Sequence, residues 1–357
     1  MAANTVLYGF MNLKDVFNAR VEDVGVGVVN TAIDQTLAEH NRQLAALTEL
    51  FAASTTEYKV RFKTPVNARL QPLDEDGRAR PIKAAGYYDI AFPIQDAGSA
   101  WGQTYKASKK ATVQDANNTM ATMLAADRRW MRDHILAALF TNASWTFTDP
   151  EHGALTVKGL ANSDTDTYLL QTGADSGATD THYLAQAAAI ADATDPYSTI
   201  YTELMEHPEN SGDVVVLIPT GLKATTEALT AFYPTTDANL RYGSAATVLA
   251  NPLGIALPGT LIGYHEAKVY IAEWKALPAG YMVAVATGGE RPLAMRQEPE
   301  GSLQGFNRVA ERNDYPYYES QYLRSAGFGA RSRVSALVYR VGNGSYAIPT
   351  GYESPMA

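Results

Sequence analysis

Glu57–Ile94 reads EYKVRFKTPVNARLQPLDEDGRARPIKAAGYYDIAFPI and Thr112–Phe140 reads TVQDANNTMATMLAADRRWMRDHILAALF; these two stretches decide the fold. In the first, Tyr58, Val60 and Phe62 alternate with Glu57, Lys59, Arg61 and Lys63. Further on, Tyr88, Ile90, Phe92 and Ile94 alternate with Asp89, Ala91, Pro93 and Gln95. Both carry the period-two pattern of half-buried strands. The span between them holds Arg69, Asp74, Glu75, Asp76, Gly77, Arg78, Arg80 and Lys83. Asp76-Gly77 is a turn signal, and Pro65, Pro72 and Pro81 keep this end out of a central sheet. At roughly 3.3 Å per residue the hairpin could extend on the order of 50 Å from the body. Such a reach has little use inside one compact chain and an obvious use in gripping a neighbour.

After a connector around Gly98, Trp101 and Gly102 the period changes. Val113, Met120, Met123, Leu124, Met131, Ile135, Ala138 and Leu139 recur at helical spacing, with no Gly or Pro before Asn142. The spacing predicts a helix of roughly 28 residues, about 42 Å long. Thr112 and Asp115 have the shape of a capping box at its start. The arginines beside Asp127 (Arg128, Arg129 and Arg132) read as a solvated face.

Working outward to the N-terminus, residues 12–53 read as two helical pieces broken near Gly25 and Gly27. Val29, Ile33, Leu37, Leu44, Leu47 and Phe51 form an apolar stripe, suited equally to docking on the same chain or on a neighbour. His40 reads as a tolerated polar residue on that seam. Residues 142–181 are polar and turn-rich, an insertion with short strands at Trp145, Leu155 and Tyr168. An alanine-rich helix is expected over His182–Ala193 and another over Tyr197–Glu206. Asp213–Pro219 (DVVVLIP) is a buried strand followed by a helix from Gly221. Further strands are expected over 259–263, 268–273, 281–286 and 292–296. At the C-terminus a strand over Arg331–Val341 leads to an Asn343-Gly344 turn and a return strand over Ser345–Ile348. Tyr315, Tyr317, Tyr318 and Tyr322 read as core and interface material rather than a ligand cage.

Composition narrows the function. The 357 residues are 46% hydrophobic and 19% charged, ordinary values for a folded soluble protein. No apolar run approaches the length of a membrane span, and the first residues lack the basic and apolar regions of a signal peptide. With no cysteine, disulfides, thiolate metal sites and cysteine nucleophiles are excluded. The 29 basic and 38 acidic residues, a net charge of -9, oppose a role built on neutralising phosphates. His40, His134, His152, His182, His207 and His265 are scattered without a metal-binding spacing, so a zinc site would have to be assembled from distant residues. There is no nucleophile elbow, dinucleotide fingerprint or phosphate-binding loop. The sequence therefore yields no catalytic, cofactor-binding or metal-binding residue.

The order of elements, with DVVVLIP in a mixed middle section, PLAMRQEP as a return strand and RSRVSALVYRVGNGSYAIP at the end, resembles the major capsid proteins of tailed phages with the Hong Kong 97-type fold. The resemblance implies an α+β fold: an N-terminal arm with an amphipathic helix (1–56) and an extended hairpin loop with its connector (57–111). A peripheral domain with spine helix and insertion (112–182), an axial α/β domain (183–290), and a return to the peripheral domain with C-terminal strands (291–357) follow. It also implies that Pro292–Val341 completes the peripheral domain's long sheet.

On that resemblance the chain is a non-enzymatic, self-assembling subunit of an icosahedral phage head that encloses double-stranded DNA without binding it specifically. It would form hexamers and pentamers, need no cofactor and no membrane, assemble in the host cytoplasm and end in the virion. Since only about fifty residues precede the hairpin, no maturation cleavage is expected, and scaffolding would come from a separate protein; a portal and a decoration protein are further expected partners. The candidate contacts between subunits are Arg69, Asp74, Glu75, Asp76, Arg78, Arg80 and Lys83. The alternatives are an encapsulin-type shell around enzyme cargo, and a soluble α/β enzyme with an unrecognised site.

Overall fold

Helix α4, Val113–Phe140, runs through two of the hydrophobic cores. Thr112 and Asp115 satisfy one another's orphan groups at its start: Asp115 N donates to Thr112 Oγ1 at 3.2 Å, and Thr112 N donates to Asp115 Oδ2 at 3.0 Å. The computed structural model describes residues 9–63, 70, 72–79, 86–172, 177–235, 256–266 and 268–356. Before α4 lie the short helix α1 (Val21–Val24), the long helix α2 (Val26–Thr48) and the single turn α3 (Tyr105–Ser108). Val29, Ile33 and Leu37 of α2 bury themselves against Val113, Ala116, Met120, Met123 and Leu124 of α4, so the N-terminal helix docks on its own chain. The chain breaks at Gly25, whereas Gly27 lies inside α2.

Where the stripe of α2 was expected to run on to Phe51, the chain turns into strand β1 (Ala52–Thr55). β1 pairs in parallel with β13 (Leu293–Gln297), which pairs antiparallel with β15 (Tyr317–Ala330). β15 carries β14 (Phe306–Asp314) along one edge and β4 (Gln95–Thr104) along the other, completing a five-stranded sheet. The expected connector around Gly98, Trp101 and Gly102 is thus a ten-residue strand. Its Gly, Ser and Ala side chains give almost no apolar signal. Gly98 is small for a reason: a Cβ there would lie 3.1 Å from the Tyr322 carbonyl oxygen.

The second sheet has seven strands in the order β7 (Tyr183–Gln186), β16 (Ala336–Val341), β12 (Tyr281–Ala286), β8 (Val214–Ile218), β11 (Val269–Glu273), β10 (Thr260–His265) and β9 (Phe232–Pro234). β8 is buried along its whole length, as its unbroken VVVLI run requires. One face presents Val215, Leu217, Val283 and Val285 to Ile135, Leu139 and Phe140 at the end of α4. The other presents Val214, Val216, Met282 and Ala284 to Tyr197, Ile200 and Leu204 of helix α5 (Pro196–Met205); helix α6 (Thr220–Glu227) follows β8.

Three expectations fail here, each for a tertiary reason. His182–Ala193 is not a helix: Tyr183–Gln186 is drawn into parallel pairing with β16, and only a 3-10 turn, Asp192–Thr194, follows. Ser345–Ile348 does not return as a strand, because both edges of β16 are already taken by β7 and β12. Tyr346 instead drops onto the core, where its hydroxyl donates to the Phe140 carbonyl at 2.6 Å. Finally, Pro292–Val341 does not complete one sheet; β13, β14 and β15 join the five-stranded sheet, and β16 joins the seven-stranded one.

The insertion carries a hairpin, β5 (Trp145–Asp149) with β6 (Gly153–Val157), while Tyr168 makes only an isolated bridge to Ala178. Arg333 pins this region to the body. Its guanidinium is fully buried and donates to the carbonyls of Gly159 and Leu160 at 2.7 and 3.0 Å, and it pairs with Asp164 (2.9 Å) and Asp166.

Candidate subunit-contact surfaces

The hairpin is held firmly at its base. Strand β2 (Lys59–Lys63) pairs antiparallel with β3 (Tyr87–Ala91), placing Val60 opposite Ile90 and Phe62 opposite Tyr88. Ile90 and Phe92 are buried with Ala294 of β13. The insertion grips the other side: Tyr58 stacks on His152 with ring centroids 3.8 Å apart, and Tyr88 meets Tyr168 edge-on at 6.4 Å. Across the strands Asp89 receives Arg61 at 2.7 and 3.0 Å and Lys59 at 3.2 Å. The Arg61 hydrogen bonds hold the Asp89 carboxyl down at about 2.

In the span between the two strands, Asp74–Arg78 forms a closed turn. The Gly77 amide donates to the Asp74 carbonyl at 2.9 Å, and the Arg78 amide donates to Asp74 Oδ1 at 2.6 Å. Gly77 has φ 73°, a left-handed value that an L side chain resists. Asp74, Glu75, Asp76 and Arg78 are brought together on this turn, and all four are exposed. Arg69, Arg80 and Lys83 lie outside the described residues. Sequence reasoning passed over two neighbours, Leu70 and Leu73, which are 96% and 61% exposed.

The tyrosine group divides by depth. Tyr322 is buried, while Tyr315 and Tyr317 stand 80% and 59% exposed at the turn between β14 and β15, where Tyr315 meets Tyr105 edge-on. Between α1, α2 and the β4–β15 pair lies an apolar cleft of about 350 Å³, lined by Val21, Val26, Val29, Trp101 and Tyr318.

Two buried polar clusters were not legible in the sequence. His40, expected to be a tolerated seam residue, is fully buried and its Nε2 lies 2.7 Å from Asp127 Oδ2. The second cluster joins Asp180, His182 and His207. Both histidine Nε2 atoms face Asp180 Oδ2, at 2.6 and 3.0 Å, and lie 3.1 Å from each other. Burial alone would raise the Asp180 carboxyl, but its hydrogen bonds with the two histidines outweigh this and hold it below the usual carboxylate range. Glu203 and Glu206 stand beside it, shifted upward by burial and by the Asp180 charge. Among the described residues no helix is long and apolar enough to cross a membrane.

With its two sheets, its long helix α4 and the β2–β3 pair packed on them, the chain has an α+β architecture of the Hong Kong 97-type fold. A solved chain from Mycobacterium phage Patience superimposes with a TM-score of 0.68 at 18% identity, covering 100% of this chain and 99% of that one. Weaker likenesses include the capsid of the native GTA particle (TM-score 0.46, 13% identity, 84% of this chain and 90% of that one) and the capsid of Myoviridae phage XM1 (TM-score 0.43, 11% identity, 83% and 92%). No family model and no curated protein matches the sequence.

Proposed function

We propose that the chain is the major capsid protein of a tailed phage, the repeating subunit of an icosahedral head, and that it performs no turnover. The observation that carries this reading is the end-to-end likeness to a phage chain, with 100% of one and 99% of the other superimposed. An encapsulin-type shell would share the fold, but the full-length likeness is to a phage protein. The anchored arm with its exposed charged and apolar tip supports contact with a neighbouring subunit, through Asp74, Glu75, Asp76 and Arg78 and through Arg69, Arg80 and Lys83. In this reading residues 1–56 are the N-terminal arm, 57–111 the extended loop, 112–182 and 291–357 the peripheral domain, and 183–290 the axial domain, to which β16 adds a strand. Subunits assemble as hexamers and pentamers in the host cytoplasm with a separate scaffolding protein, and a portal and a decoration protein complete the virion. The net charge of -9 suits a wall that encloses DNA without gripping it. Sedimentation velocity of the expressed chain, alone and with its neighbouring genes, tests the proposal: large particles or capsomers support it, and a sharp monomer under every condition overturns it.

A further inference from the structure

His207 lies 25 positions beyond His182 and 27 beyond Asp180, yet the fold turns one ligand-type atom of each of the three toward a common point. The orientation of each is fixed from behind. His182 Nδ1 lies 2.7 Å from the Ala336 carbonyl, and His207 Nδ1 lies 2.9 Å from the Leu169 carbonyl. A carbonyl can only accept, so both Nδ1 atoms carry the proton. With Nδ1 so fixed, each Nε2 has two roles open to it: as an imidazolium it donates to Asp180 Oδ2, and as a neutral ring it presents a bare lone pair. Asp180 Oδ1 is occupied by the Thr181 amide at 2.7 Å, which leaves Oδ2 to face the two rings. When both rings are neutral, two imidazole lone pairs and a carboxylate oxygen gathered within 3.1 Å repel one another, and either a bound proton or a metal cation among them relieves it.

We propose that these three residues hold a zinc ion. Backbone carbonyls that fix the tautomer of each histidine are the usual outer shell of a metal ligand. Two nitrogens and one carboxylate oxygen suit zinc, whose bonds of about 2.0–2.2 Å in a tetrahedral site set ligands roughly 3.3 Å apart. The observed spacings of 3.0 and 3.1 Å are a few tenths of an ångström tighter and that of 2.6 Å is about 0.7 Å tighter, so the His182 and Asp180 side chains must rotate apart to admit the ion. Glu206 stands outside this trio, its Oε1 3.8 Å from His207 Nε2, and must swing inward to complete the site as a fourth ligand; its side chain is about one third exposed, which also provides the entry path. The ion ties three parts of the chain together. Asp180 and the Leu169 carbonyl belong to the insertion, His182 precedes β7, and His207 follows α5, so the loaded site staples the insertion to the seven-stranded sheet.

The experiment uses the purified full chain. After treatment with a chelator and dialysis against zinc, one zinc per chain is expected by elemental analysis. Cobalt in place of zinc should give the intense visible absorption of a tetrahedral site. Zinc should raise the melting temperature and slow proteolysis within residues 163–178. Asp180→Asn and His207→Gln should each weaken zinc binding by more than about 100-fold, beyond what outer-shell changes cause, and Glu206→Gln by about 10-fold. If either ligand variant fails to fold, the unmodified chain still decides through its stoichiometry and cobalt spectrum. Substoichiometric zinc with an octahedral cobalt spectrum, or full zinc retention in folded Asp180→Asn, overturns the proposal and leaves a proton shared among the three side chains.

Discussion

Asp127, at the middle of α4, and Arg324, on β15, form a two-pronged ion pair in the interior. Arg324 Nη2 donates to Asp127 Oδ2 at 2.7 Å while its Nε donates to Oδ1, and each side chain is 3% exposed. His40 of α2 closes on the same carboxylate, and Arg324 also donates to Asn41 Oδ1 at 3.1 Å. Helix α2, helix α4 and the five-stranded sheet therefore meet at one carboxyl group.

Removing that carboxylate strands a buried guanidinium, which costs about 3–5 kcal/mol for pairs of this kind. Asp127→Ala should lower the urea midpoint accordingly with an unchanged slope. The double variant Asp127→Leu with Arg324→Met should recover much of the loss, because an apolar pair removes the orphaned charge. Equal instability of single and double variants would show that the pair contributes packing volume alone.

The same carboxyl sets an acid limb of stability. Burial alone would raise Asp127, but hydrogen bonds from His40 and Arg324 outweigh it and hold the group below its ordinary value of 3.8. A carboxyl depressed in the folded state contributes stability that is complete above its unfolded value and is lost as pH falls through the folded one. Unfolding free energy should therefore fall as pH drops below 3.8, and Asp127→Asn should make this limb shallower by about one proton. The check is a series of urea titrations across that range.

Arg333 offers a test of the insertion. It makes a fork of bonds to two carbonyls and two carboxylates that a lysine cannot reproduce. Arg333→Lys should destabilise by about 3 kcal/mol or more, since it leaves buried acceptors unmet. Limited proteolysis should then cut first within residues 158–170. Resistance equal to that of the unmodified chain would mean that the hairpin β5–β6 alone holds the insertion.

How much of this was legible depended on whether the signal was local. Helix α4 was readable to its end residues because its period, its cap and its freedom from Gly and Pro all agree along one stretch. The pairing of β2 with β3 and the burial of β8 were readable for the same reason. β4 was not, because its small and polar residues pair through the backbone with β15. β7 was misread because alanine favours a helix in isolation, and only the free edge of β16 decides otherwise. Asp74, Glu75, Asp76 and Arg78 fell on the expected turn, but Leu70 and Leu73 were hidden by the density of charge around them. The meeting of His182 with His207 needs the β7–β16 pairing and the end of α5 together, which no spacing in the sequence encodes.

The arm's tip gives a prediction that separates folding from assembly. Reversing Asp74, Glu75 and Asp76 to lysine should leave circular dichroism unchanged, because all three are exposed. It should block or misdirect assembly, and raised salt should slow early assembly of the unmodified chain by screening the same contacts. Normal particles from the triple variant at low salt would remove these residues from the subunit interface.

Electron microscopy of particles assembled from the unmodified chain tests the central claim most directly. The account predicts closed icosahedral shells built from this one chain, with the arm beyond β2 and β3 lying over an adjacent subunit. A monomer in all conditions, or particles in which the arm folds back on its own subunit, would contradict it.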